Sequence, residues 1–433
     1  MFKNILLGAG VLAALLAILI FSGRLPIGGN KKVTVSGSVV MWGTLPQTDM
    51  EVILQRFNTE AKTYRVDYLE VPENKFTEKL TNALASGQGP DMILAPYQTL
   101  LEHKDRIYPY PSASVSTEQF KNYYVDGASV LLGVDSALAL PVSIEPLMMF
   151  YNRALFAKHG VVTPPDTWDQ LSVIVPQLTV SSAPSVFQEN GIAFGTYNNI
   201  DNAKDIIMTL VAQLGQVPVT RQVGAAGEKF TVTANVPIPE NQEVEPLTTS
   251  VRFFTQFADP QKTVYTWNTL QPRAIDQFAA ERLAIYLGYS GDRALLMAKN
   301  PRLDFGMRMV PQAKGYTTFS TGMRLYGVAT LKRTPNSLAS LTAQSMFAGA
   351  TYGPLLASLA GGVSPLRNVI ANSTAIDQDL KQSILVSKGW YDTMPLTSGQ
   401  YIERMINDII SGRSSVSEAV GLCVSRLTEL YTH

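Results

Sequence analysis

The chain reads as an α/β protein built on doubly wound sheets, and its first hundred residues carry the observations that predict this. Residues 33–42 are rich in β-branched side chains and form a first strand ending at Trp42. Met50, Ile53, Leu54, Phe57 and Ala61 then recur at helical spacing and put one apolar stripe on a helix. Residues 66–71 read as a short second strand. Phe76, Leu80, Ala83 and Leu84 form another stripe that stops at Gly87, where a left-handed cap costs glycine little. Residues 91–95 are a third strand. Strands alternating with helices predict parallel pairing with right-handed crossovers. Ligands of such sheets bind beyond the carboxyl ends of the strands, here near residues 43–49 and 96–98.

At 433 residues the chain is long enough for two or three domains. Charged residues are 16% of it, against about 25% in a typical domain, and acids and bases stand at 35 each. Neither the balance nor the pattern offers a basic footprint, so no nucleic-acid partner is expected. Near the amino terminus, Lys3 precedes an almost unbroken apolar run over 5–21, between a signal-peptide core and a membrane span in length. Phe21-Ser22-Gly23 is a poor cleavage site, so the expectation is an uncleaved single membrane anchor with the rest of the chain outside the cell, or a secreted chain if it is cleaved. Arg24, Lys31 and Lys32 follow the run and count against that orientation, because positive flanks usually stay inside. The single cysteine, Cys423, rules out a disulfide within the chain.

Motifs for catalysis are few. Gly288-Tyr289-Ser290-Gly291-Asp292 lacks the final glycine of a nucleophile elbow. His103, His159 and His433 are far apart, and His159 beside Gly160 suits a helix end. No phosphate loop or zinc signature occurs, and no cofactor is expected. Paired carboxylates have no sequence spacing rule, so a glycoside hydrolase stays open as a rival reading.

Several motifs occur in a fixed order: Ser86-Gly-Gln-Gly-Pro-Asp-Met-Ile-Leu94, Ala139-Leu-Pro-Val-Ser-Ile-Glu-Pro-Leu-Met-Met-Phe-Tyr-Asn152, Pro164-Pro-Asp-Thr-Trp-Asp-Gln-Leu171, Phe278-Ala-Ala-Glu-Arg-Leu-Ala-Ile285, Asp304-Phe-Gly306 with Val310-Pro311, and Ile409-Ile-Ser-Gly412 with Ser417-Glu-Ala419. Together they resemble the extracellular solute-binding proteins of the maltodextrin-binding type. The resemblance implies a two-lobed, class II periplasmic-binding-protein-like fold, each lobe a doubly wound sheet flanked by helices, preceded here by the amino-terminal membrane helix. It implies an anchor and linker over 1–32, a first lobe over 33–141 and 311–348, and a second over 142–310 and 349–433. Crossings are expected at Leu140-Pro141-Val142, at Val310-Pro311 and near 349–353. The cysteine that carries lipid in many such proteins is missing after the apolar run.

Inside the second lobe, Thr167 with Gln170 and Ser415 with Glu418 have capping-box spacing. Tyr401, Ile402, Met405, Ile406, Ile409 and Ile410 make one helical face ending before Gly412. Residues 216–250 hold Pro218, Pro237, Pro239 and Pro246 and alternate over 230–236, which reads as a β-hairpin insertion with a loop.

A sugar site needs flat aromatic faces and fixed hydrogen-bonding groups. Trp42, Thr44, Gln47 and Asp49 follow the first strand, and Trp42 alternatively ends it inside the core. Tyr97 and Gln98 follow the third strand, with a turn role as the alternative. Glu145 matches a glutamate that contacts ligand in the resembled family, and its alternative is a buried ion pair with an arginine. Tyr289, Ser290 and Asp292 stand where that family often has a glycine-tryptophan pair. Tyr401, with Trp390 and Tyr391 ahead of it, falls near a late stacking aromatic or packs in the core. Arg324 and Arg367 could meet acidic ligands or carboxylates between the lobes. The expected function is capture of an uncharged solute, an oligosaccharide by default, and delivery to the permease subunits of an ABC importer. The rivals are an exported hydrolase and a surface interaction protein without ligand.

Overall fold

Three parallel strands come first among the described residues, and the helices between them follow the apolar stripes of the sequence. A computed structural model describes residues 35–224, 227–237, 243–316 and 319–432. The apolar run 5–21, Arg24, Lys31, Lys32, Pro239 and His433 lie outside them, and among the described residues no helix is long and apolar enough to cross a membrane. Strand β1 (Gly37–Gly43) pairs in parallel with β2 (Tyr64–Glu70) and β3 (Met92–Pro96). Helix Gln47–Glu60 buries Met50, Leu54 and Phe57, and helix Glu73–Ala85 buries Phe76 and Leu80. Gly87, just past the second helix, has φ +72°, the left-handed turn expected there.

Beyond β3 the sheet becomes mixed. Its order is β2-β1-β3-β11-β4-β9-β6-β5, with β4 (Leu140–Asn152), β5 (Val180–Ala183), β6 (Val186–Ile192), β9 (Leu283–Tyr289) and β11 (Met323–Thr330) completing the path. β10 (Phe305–Met309) pairs with the far end of β4. β11 is antiparallel to β3, and β4 is antiparallel to both β11 and β9. The lobes are therefore not purely parallel as expected, because strands that arrive from the opposite lobe enter each sheet against its direction.

Two apolar cores hold the lobes, and β4 belongs to both. Leu140, Val142 and Ile144 sit in the first core, and Leu147, Met148, Met149 and Phe150 in the second. The partner strand changes at the same place: Pro146 faces Met323 of β11, and Leu147 faces Tyr289 of β9. A second crossing joins Val310 of the second core to Met323 of the first. The third runs from Ile384 and Tyr391 of the first core, with Trp390 of the second between them, to Ile402 of the second. Tyr352, Leu356 and Ile370 pack in the first core, so the cores do not divide near 349–353 as the sequence suggested. An amphipathic helix shows which face it buries and not which core receives it. The three crossings lie side by side, tied by Leu147 N–H to Gly322 O at 2.8 Å and Lys388 N–H to Thr321 O at 2.8 Å.

Local signals in the second lobe are realised. Gln170 accepts the Thr167 N–H at 3.3 Å, and Glu418 and Ser415 cap each other reciprocally. Helix Pro395–Ile410 buries Ile402, Met405 and Ile406 and ends before Gly412 at φ +71°. The insertion contains the hairpin β7 (Val219–Gly224) and β8 (Gly227–Val232), a sheet of its own. Cys423 is buried in the second core, and burial pushes its thiol up to about 12.

His103 is 3% exposed, its Nε2 meets no partner, and burial with the nearby Arg106 lowers its pKa to about 4. The unfolded chain takes up this proton near the ordinary value of 6.5, the folded one only near 4, so stability present above pH 6.5 is lost as pH falls through the window. The expected loss from this residue is about 3 kcal/mol by pH 4. Urea unfolding of His103→Leu between pH 6.5 and 4 should show a shallower decline than the wild type; equal declines would exclude His103 as the cause.

Candidate functional site

The carboxyl ends of β1 and β3, the crossing of β4 and the end of β9 converge where the two cores meet, and charged side chains from both lobes fill the junction. Arg324 on β11 donates from Nε to Glu145 Oε1 at 2.9 Å and from Nη2 to Oε2 at 2.6 Å. Glu145 is fully buried, and the Arg324 side chain is 35% exposed. The backbone N–H of Gly291 also donates to the Glu145 carboxylate. A side chain at Gly291 would put a Cβ 2.4 Å from Glu145 Oε2 and 2.6 Å from Gly361 O, so the approach requires glycine. The Arg324 guanidinium also lies over the Tyr289 ring, 4.8 Å from its centroid.

Tyr289 carries the chain of contacts onward. Its hydroxyl donates to Asp205 Oδ2 at 2.5 Å, and its N–H donates to Asp292 Oδ2 at 3.0 Å, which also accepts from the Tyr286 hydroxyl at 2.8 Å. Burial pushes the carboxyls of Glu145, Asp205 and Asp292 up, and their hydrogen bonds pull them back only in part. Tyr97, from the first lobe, is 1% exposed; it lies close enough to Asp205 to feel its charge and meets the Trp390 backbone. Beside Tyr97 and Asp205 a cavity of about 30 Å³ is walled by Met208, Thr209, Gly322 and Trp390. That is room for a water molecule and not for a sugar ring.

The residues singled out in the sequence divide into two groups. Glu145, Tyr97, Tyr289, Ser290 and Asp292 come together at the junction, and Thr44 joins them through its hydroxyl beside that of Tyr326. Ser290 is 8% exposed with no hydrogen bond to its hydroxyl. Glu145 takes its alternative reading, the ion pair with arginine. Trp42 is buried in the first core with Lys79 Nζ 5.2 Å from its ring, so core packing accounts for it. Gln47 ties its helix to β2, exchanging hydrogen bonds with the Glu70 N–H at 3.1 Å and the Tyr68 carbonyl at 3.2 Å. Asp49 is exposed in the first turn of that helix, and Gln98 is half-buried in the first turn after β3. Tyr401 faces Arg426 of the last helix, 5.8 Å from the ring, and packs at the edge of the second core. Arg367 holds the Lys121 carbonyl at 3.1 Å and pairs with Asp126. His159 caps its helix and meets Glu189 at 2.6 Å.

Sequence reasoning missed Lys204, Asp205 and Asp392. Lys204 Nζ donates to Asp392 Oδ2 at 2.5 Å and Ser398 Oγ at 2.8 Å, and lies 5.0 Å from the Trp390 ring. Asp392 is fully buried and also accepts from the Tyr431 hydroxyl at 2.6 Å. The available signal was Lys204-Asp205 opening the apolar helix Ala203–Gln213, an adjacent charge pair with no solvated face of its own.

Two lobes joined by three crossing segments, with polar side chains from both meeting beside them, define the class of two-lobed α/β binding proteins. The chain belongs to the bacterial extracellular solute-binding protein family, whose model matches residues 42–345. Similar solved structures include an ABC substrate-binding protein of Listeria monocytogenes in complex with cycloalternan, 13% identical with a TM-score of 0.71 over 91% of this chain and 99% of that one. A cyclic α-maltosyl-1,6-maltose binding protein of Arthrobacter globiformis is 15% identical, with a TM-score of 0.72 over 92% of this chain and 99% of its own. A binding protein of Brucella abortus is 25% identical over 166 residues, which span 38% of each chain.

Removing Arg324 strands the Glu145 carboxylate in the fold. Arg324→Leu should cost about 3 kcal/mol at neutral pH, the low end for a broken buried pair because the arginine is partly exposed. The loss should shrink in acid, where Glu145 can take up a proton, and the Glu145→Leu, Arg324→Leu double variant should lose less than the single one. Urea unfolding of the three proteins checks this; a single variant as stable as the wild type would show that the pair does not support the junction.

Proposed function

We propose that the protein captures an uncharged solute, an oligosaccharide by default, between its lobes and delivers it to the permease of an ABC importer. The observation that carries this reading is the junction itself, where hydrogen-bonding groups of both lobes converge beside three narrow crossings. Arg324 keeps its Nη1 donors free of Glu145 and is partly exposed, so it can offer them to a hydroxyl. Glu145, Asp205, Asp292 and Asp392 outnumber Arg324 and Lys204, which disfavours an anionic solute. The structures named above, bound to cycloalternan or named for a cyclic maltose oligomer, support a sugar as the ligand class.

The small cavity beside Tyr97 supports a mechanism of lobe closure. A sugar ring can enter there only when the lobes part, and contacts to both lobes then favour their return. Tyr97, Tyr289, Ser290, Asp292 and Thr44 are the side chains assigned to the solute, with Glu145 and Arg324 holding the floor. Residues 5–21 would tether the protein to the outer face of the cell membrane.

Thermal unfolding of the purified protein against neutral oligosaccharides, polyols and sugar phosphates tests the reading. A solute at about 100 times its dissociation constant should stabilise the fold by about 2.7 kcal/mol. A saturable shift with neutral oligosaccharides and none with sugar phosphates is expected. Shifts with phosphates alone, or turnover of a chromogenic glycoside, would overturn the assignment.

A further inference from the structure

The hairpin β7–β8 grows from the second lobe and reaches the first. Its root residues Val219 and Val232 are in the second core, and Phe230 packs against both cores. Lys104 of the first lobe forms an ion pair with Glu228 and lies 4.9 Å from the Phe230 ring. Phe230 in turn stacks on Tyr391 at 5.0 Å and 17°. Arg221 lies over the other aromatic partner, 4.9 Å from the Tyr391 ring, and donates to the Gly133 carbonyl of the first lobe at 3.3 Å. The Lys104 and Glu228 side chains are only 24% and 21% exposed, so water screens the pair less than a surface one.

Behind these contacts a groove of about 520 Å³ separates the hairpin from the first-lobe turn Asp126–Leu131. The hairpin therefore touches the first lobe through a few side chains and not through a packed face. Across so small an interface relative motion of the lobes is the default, unlike across a fused core.

We propose that Lys104, Glu228, Phe230 and Arg221 form a clasp that holds the solute-free lobes together and so limits how fast solute enters. This rests on the reading of solute capture between the lobes. Solute can enter only the parted form, and each contact present only in the closed form lowers the parted fraction. The apparent association rate falls with that fraction. The equilibrium affinity changes less, because the clasp favours the closed protein with and without solute.

The test places spin labels at Gln55→Cys on the helix Gln47–Glu60 and Ser425→Cys on the helix Val416–Thr432, both exposed, while the buried Cys423 stays unlabelled. Distances between the labels are measured without solute in the wild-type background, in Lys104→Ala and in Phe230→Leu. Both changes should shift the distribution to longer separations, raising the parted fraction by about tenfold. The association rate of a solute found by thermal shift should rise by a similar factor, with a smaller change in affinity. Unchanged distances in both folded variants would overturn the clasp, and lengthened distances with an unchanged association rate would overturn its control of entry. The distance measurement requires no solute, so it still decides the clasp if the panel yields no ligand.

Discussion

Everything at the junction depends on a short backbone ladder. Leu147, Gly322 and the Thr321–Lys388 pair hydrogen-bond across the three crossings, where the chain passes from one core to the other. Pro146 marks the switch on β4, since it has no N–H to give to either sheet, while its carbonyl accepts the Ser290 N–H at 3.1 Å. A strand whose residues are buried on both faces in two different cores cannot slip in register without emptying both. The ladder thus fixes where Glu145, Arg324 and Tyr289 meet before any side chain contributes.

Charge at this junction is arranged to be satisfied internally. Glu145 has Arg324 and the Gly291 N–H, Asp205 has Tyr289, Asp292 has Tyr286, and Asp392 has Lys204 and Tyr431. Each pairing offsets a desolvation cost that would otherwise keep a carboxylate out of the interior. The aromatic faces are occupied too: lysines lie over Trp42 and Trp390, and arginines over Tyr289 and Tyr391. A solute that replaced any of these cations would have to return equivalent contacts, which makes hydrogen-bonding complementarity more decisive here than stacking area alone.

Periodicity and turn residues made most of the elements readable. The stripes at Met50 and Phe76, the stop at Gly87, the capping pair Ser415 and Glu418, and the alternation around Phe230 are local facts with local causes. What stayed hidden was long-range. Nothing near Glu145 names Arg324 as its partner, and nothing in the helix Gly353–Leu359 says which core it joins. The aromatic candidates were legible as aromatic, yet whether a face is open or covered by a cation depends on neighbours far along the chain. Tyr401 shows this: its spacing fits the helix, and only the last helix reveals that Arg426 covers it.

The buried thiol of Cys423 has a consequence for biogenesis. Burial pushes its pKa far above neutral, so the folded chain carries almost no thiolate there. Once folded, the chain is therefore nearly inert to oxidants and to mixed disulfides, and it never closes a covalent loop of its own. The fold therefore owes its permanence to its two cores alone, with no covalent crosslink to form during maturation.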